Sequence, residues 1–107
     1  MMRRKRRRKL GLWFYQITTF SKELTPKYGT EKDGHAGTLE TSRVMSIKPE
    51  LIKAKGSSSF PEMLRFEVVA HPELYFPSGV NGDPTAASAE KGQKINEYII
   101  EQVAKLV

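Results

Sequence analysis

Ten consecutive residues, Asp33-Gly34-His35-Ala36-Gly37-Thr38-Leu39-Glu40-Thr41-Ser42, bring an imidazole, two carboxylates and two glycines to a point where a helix is about to begin. Imidazole is the side chain that ordinarily titrates near neutral pH, so a histidine here can take up a proton and return it within one turnover. The flanking glycines allow backbone conformations in which the chain comes close to a ligand. If a helix starts at Thr38, the His-Ala-Gly stretch carries its first N–H groups, an end that favours negative charge and can hold a carbonyl oxygen as it becomes an oxyanion. The same residues also admit a plainer reading, in which His35 caps the helix or packs a loop.

Apolar Leu39, Val44, Met45 and Ile47 predict that this helix runs from Thr38 to Ile47, stopping before Pro49 because the residue preceding a proline disfavours helical geometry. Upstream, Leu12 to Phe20 is aromatic and β-branched on both sides of any pleat, which predicts a strand buried on both faces with Trp13, Phe14 and Tyr15 as core. Ser21 to Lys32, with Pro26 and Gly29, reads as a polar connecting loop long enough to be functional. Past Leu51 and Ile52, Gly56-Ser57-Ser58-Ser59 reads as a flexible surface turn.

Phe66 to Ala70 is expected to form a second strand centred on Val68 and Val69, with His71 as a structural residue at its end. An aromatic, turn-rich segment follows from Tyr75 to Pro84. Asp83-Pro84 is a helix-start signal, an N-cap side chain followed by a residue with preset φ. From there the last helix is expected to run nearly to the end. Its stripe is Ile95, Ile99, Val103 and Leu106, with Glu90, Lys91, Lys94, Glu97, Glu101 and Lys105 mainly off it, so it should cover a sheet.

Strand, loop, helix, strand, loop, helix is an α/β order, and a strand-helix-strand unit normally makes a right-handed parallel crossover. Two strands alone cannot sustain a parallel sheet covered on both faces. The expectation is therefore that further strands come from another chain, which this one would complete as a small interaction subunit, or that the sequence is the C-terminal piece of a larger domain.

The formal charge of +6 has a single origin, the run Arg3 to Lys9. Removing those seven residues leaves eleven basic against twelve acidic side chains. Basicity therefore belongs to a head, residues 1–10, rather than to a face of the domain expected over residues 11–107, which argues against a dedicated nucleic-acid-binding fold. Residues 3–9 can still contact polyanions nonspecifically and in a salt-dependent way, or be an incidental, disordered tail. A noncatalytic module that binds polyanions through this head is the alternative function.

The absence of cysteine removes disulfides, thiolate metal sites and thiol nucleophiles, and fits a cytoplasmic protein. No apolar stretch approaches the ~20 residues that span a bilayer, so no membrane partner is expected. The basic head followed by Leu10 to Phe20 superficially resembles a signal peptide, but Gln16, Thr18 and Thr19 and the lack of a small-residue cleavage site argue against one.

Three segments in register, the Asp33 to Ser42 run, Pro49-Glu50-Leu51, and Gly79-Val80-Asn81-Gly82-Asp83-Pro84 followed by Ala89-Glu90-Lys91-Gly92, resemble the creatininase family of amide hydrolases. Within it the sequence is most similar to archaeal formamide hydrolases that remove a formyl group from a pyrimidine nucleotide in flavin and deazaflavin synthesis. The resemblance implies a metal-dependent hydrolase of non-peptide C–N bonds, acting on a small amide, folded as a three-layer α/β sandwich with a mostly parallel sheet and assembled as a homo-oligomer.

It also implies that His35 shuttles a proton, that Glu40 orients it or holds the helix start, and that Gly37, Asn81 and Gly82 border the substrate. A divalent metal, zinc, iron or manganese, is implied as well. The family's metal ligands are a Glu-x-His pair, an Asp, and a Gly-His element with its carboxylate partner. They belong to an N-terminal half that this sequence does not match, and its only histidines are His35 and His71. A site made from Asp33, His35 and Glu40 is conceivable from the residue types, but no second His stands at paired-ligand spacing. The resemblance thus predicts a C-terminal portion that is inactive alone.

Overall fold

The computed structural model describes residues 20–30, 32–62 and 68–106. Among them are four helices, α1 (Ser21–Tyr28), α2 (Thr38–Ile47), α3 (Pro72–Tyr75) and α4 (Ala89–Leu106), with single 3-10 turns at Pro49–Leu51 and Pro84–Ala86. The organising contact is between α2 and α4.

Helix α2 ends where its sequence says it must. Lys48, preceding Pro49, swings out to φ −151° and ψ 79°, and its N–H closes the last turn on the Val44 carbonyl at 2.8 Å. Helix α4 carries Ile95 fully buried, with Ile99 and Val103 partly buried one and two turns on. Its charged residues Glu90, Lys94, Glu97, Glu101 and Lys105 are exposed. This is the amphipathic division expected from the spacing, but the stripe covers other helices.

Phe20, Leu24, Leu39 and Ile95 form the core, with Tyr28 and Tyr98 packed against it. Burying each such apolar side chain contributes about 1.5–3 kcal/mol. The two main helices meet backbone to backbone at Gly92, where an added Cβ would run into the Ser42 carbonyl. Around that contact the Ser88 amide donates to Ser42 Oγ at 3.1 Å. Arg43 Nε donates to Asn96 Oδ1 at 2.7 Å, and Asn96 Nδ2 returns to Ser46 Oγ at 2.8 Å.

The expected α/β sandwich is not what the described residues build. No strand occurs among them, and their β pairing is limited to one antiparallel bridge between Ser59 and Gly82. Val68 and Val69, expected at the centre of a strand, lie in irregular backbone with Val68 fully exposed, so neither has a sheet to bury it. Most of the other expected strand, Leu12 to Thr19, lies outside the described residues, as do residues 63–67. Phe20, the one described residue of that run, is the N-cap of α1.

The loop expected over Ser21 to Lys32 contains helix α1, despite Pro26. Proline deletes one helical hydrogen bond, and α1 ends two residues beyond it, but Leu24 is 1% exposed and its burial anchors the turn. The last helix starts later than Asp83-Pro84 suggested. Asp83 caps only the 3-10 turn, accepting from the Thr85 amide at 3.0 Å, and Ala87 then turns extended before Ser88 caps α4, its hydroxyl accepting from the Lys91 amide at 3.2 Å. Ser59, expected in a flexible turn, is held by the bridge to Gly82.

Candidate active site

The residues Asp33 to Glu40 fold into a tight turn fused to the start of α2. Gly37 N–H donates to the Gly34 carbonyl at 3.2 Å, closing a β-turn with His35 and Ala36 at its centre. Ala36 has φ +53°, a left-handed conformation that is uncommon without glycine. Both sides of the Ala36 residue are tied down. Its N–H donates to Glu40 Oε2 at 2.7 Å, and its carbonyl accepts from Thr41 Oγ1 at 3.3 Å.

Asp33 supplies the cap that Gly37, lacking a side chain, cannot. Its Oδ1 accepts from Thr38 N–H at 2.7 Å and its Oδ2 from Leu39 N–H at 2.9 Å. Burial pushes the Asp33 carboxyl above its ordinary value, against the lowering effect of those two amides. With Gly37 and Ala36 engaged as described, all four amides from Ala36 to Leu39 are occupied within the protein. The expected role of this end as an oxyanion cradle is therefore not built, because Asp33 and Glu40 already fill it.

A second segment, residues 79 to 83, lies against the turn. Asn81 N–H donates to the His35 carbonyl at 2.8 Å, and the buried Thr38 hydroxyl donates to the Asp83 carbonyl at 2.6 Å. Gly82, at φ +145°, sits so close that a Cβ would lie 2.9 Å from both Asp33 Oδ1 and Gly37 Cα. Gly37 and Gly82 are thus the abutting surfaces of two backbones, both buried.

His35 itself stands exposed at the rim, held from one side. Its Nδ1 is 2.7 Å from the Gly79 carbonyl oxygen, which can only accept, so Nδ1 carries a hydrogen and, in the neutral ring, Nε2 carries the lone pair. The Phe76 ring meets the imidazole edge-on, 5.6 Å between centroids and 75° between planes. A cavity of about 240 Å³ opens beside it, lined by His35, Asp33, Glu40, Leu39 and Gly34 and by the hydroxyl residues Ser21 and Thr25 of α1.

Of the five residues singled out in the sequence, His35 and Glu40 line this cavity, whereas Gly37 and Gly82 are buried against each other and Asn81, far from His35 in the chain, holds the His35 carbonyl. His71 does not join them. It is exposed before α3, with its Nδ1 3.1 Å from Glu73. The Gly79 carbonyl, Phe76, Ser21 and Thr25 were not foreseen as site residues. The one sequence signal for the first two is Phe76-Pro77-Ser78-Gly79, whose proline and glycine spacing suits a type I turn.

Among the described residues no three His, Asp or Glu side chains stand together as metal ligands. Asp33 already spends both carboxylate oxygens on amides and Glu40 one of its own, so the Asp33, His35 and Glu40 grouping has the donor types without a free ligand set.

A family model described as creatininase, creatinine amidohydrolase, matches residues 2–107. No curated protein and no solved structure matches the chain. Because the family match runs through nearly the whole sequence, including every residue of the turn and of the segment that holds it, the chain belongs to the creatininase family.

Proposed function

We propose that this chain supplies the proton-transfer part of an amide hydrolase acting on non-peptide C–N bonds. The observation that carries the reading is the Nδ1–H contact to the Gly79 carbonyl, which in the neutral ring leaves Nε2 as the proton acceptor of a histidine that lines the cavity. In amide hydrolysis a proton leaves the attacking water and the amine must leave protonated. His35 Nε2 takes the first proton and delivers it to the departing nitrogen. Glu40, through the Ala36 amide, fixes the backbone on which His35 is mounted, acting as a positioning residue.

Members of the family generally use a divalent metal. The described donor groups do not fit one, for the reasons of occupancy given above, so the metal ligands of the working enzyme are assigned to residues outside this constellation. The finer reading follows the resemblance, a C-terminal portion whose substrate is the formyl amide of a formylaminopyrimidine nucleotide, working as a cytoplasmic homo-oligomer. Any polyanion contact through residues 3–9 is separate from that chemistry.

Complementation tests the proposal. The full chain is mixed with a separately produced N-terminal portion of a creatininase-family hydrolase that carries the Glu-x-His ligands, zinc or manganese is added, and hydrolysis of a formamide and of a cyclic amide is followed. Turnover is expected from the mixture, from neither part alone, and not with His35→Ala. Unchanged turnover with His35→Ala, or metal-stimulated turnover by this chain alone, overturns the proposal.

A further inference from the structure

We infer that the turn Phe76–Gly79 is the positioning element for His35, with Phe76 as a positioning residue that holds the imidazole against the Gly79 carbonyl, the acceptor that sets which ring nitrogen is left bare. The inference takes its catalytic meaning from the reading of His35 as the proton-transfer group, but its geometry is independent of it.

The turn grips the ring at two points. Gly79 N–H donates to the Phe76 carbonyl at 3.3 Å, so the first and last residues of the turn are brought together. The Phe76 ring then faces the imidazole edge-on while the Gly79 carbonyl accepts from its Nδ1. One turn therefore contributes both the packing that limits ring rotation and the acceptor that selects the tautomer.

The turn is anchored at both ends. Phe76 N–H closes α3 on the Pro72 carbonyl at 2.7 Å. Beyond Gly79, Val80 is buried, Asn81 N–H holds the His35 carbonyl, and Gly82 pairs with Ser59 in both directions at 2.7 and 3.0 Å. Pro77 at the second turn position presets φ, and Gly79, at φ +69°, takes a left-handed conformation without strain. Histidine free in water favours hydrogen on Nε2, which would block that nitrogen as a base. The turn reverses this preference.

The test is the His35 tautomer in the isotope-labelled full chain, read from long-range proton–nitrogen correlations with the ring neutral, His71→Asn serving to assign the two histidines. The expected result is Nδ1–H as the major form in the parent. In Phe76→Ala, Nε2–H should become the major form, and Phe76→Tyr should restore the parent pattern. Gly79→Ala is the second variant; its Cβ meets nothing within 4 Å, so only the turn conformation is perturbed, and it should also shift the tautomer.

A parent with Nε2–H as the major form, or a tautomer unmoved by both variants, overturns the inference. A shifted tautomer combined with complementation that ignores His35→Ala leaves the positioning intact and rejects the proposed function instead.

Discussion

Gly92→Ala should be among the most damaging small substitutions in the chain. Alanine raises helix propensity by about 1 kcal/mol over glycine, so an unobstructed helix would gain stability. Here the new methyl collides with the Ser42 carbonyl, which is backbone inside α2 and cannot rotate away. The helices must separate by something on the order of an ångström to restore van der Waals contact. Overpacking of this kind costs about 1–3 kcal/mol.

Separation also stretches the Ser88 amide to Ser42 Oγ bond and the Arg43 to Asn96 pair, each contributing about 0.5–1.5 kcal/mol. Setting these losses against the propensity gain leaves a net destabilisation of about 3 kcal/mol. For a domain of this size that corresponds to a fall in Tm of more than about 10 °C. Far-UV circular dichroism on heating measures it, with Gln93→Ala on the exposed face of α4 as a control expected to stay within about 0.5 kcal/mol. A Gly92→Ala protein that melts at or above the parent temperature would show that the helices do not meet backbone to backbone.

Two further predictions concern the turn. Folding raises the Asp33 carboxyl above its ordinary 3.8, so between that value and the folded one the native state binds the extra proton. Asp33 therefore adds relative stability that is fully present below 3.8 and is lost as pH rises through the folded value. Chemical denaturation of the parent against Asp33→Asn across acidic pH should show the parent gaining on the variant as pH falls. The opposite trend would mean that the two amides outweigh burial. Ala36→Gly should be near neutral or stabilising, because relief of the left-handed strain, about 1 kcal/mol, offsets the roughly 0.5–1 kcal/mol of added chain entropy; a loss of more than about 1 kcal/mol in the same denaturation assay would deny that the positive φ is strained.

The parts that were legible in the sequence are those where local chemistry decides. Leu39 to Ile47 with Pro49 beyond specifies α2 and its end, and the spacing of Ile95, Ile99 and Val103 specifies the buried face of α4. Helix α1 was not legible, because a polar stretch interrupted by Pro26 carries no periodic signal and only the tertiary burial of Leu24 supports it. The run Phe66 to Ala70 had strand composition, but composition provides no partner, and Val68 is left in solvent.

In the site, the family resemblance named His35, Glu40, Gly37, Asn81 and Gly82; of these the cavity is lined by His35 and Glu40 while both glycines are buried, and the roles of all five rest on the resemblance. The occupancy of the helix start was not legible. Asp33 stands five residues before Thr38, too far to read as its cap until the intervening turn folds back. The Gly79 carbonyl was equally hidden, since every residue has a carbonyl and only the fold decides which one faces an imidazole.

The central claim, that His35 carries the proton in an amide hydrolysis completed by metal ligands from outside the described constellation, is most directly tested by complementation with the ligand-bearing portion. Metal-dependent formamide or cyclic-amide hydrolysis by the mixture, lost with His35→Ala, is the predicted result. Hydrolysis that survives His35→Ala, or that this chain performs with metal and no complement, would contradict it.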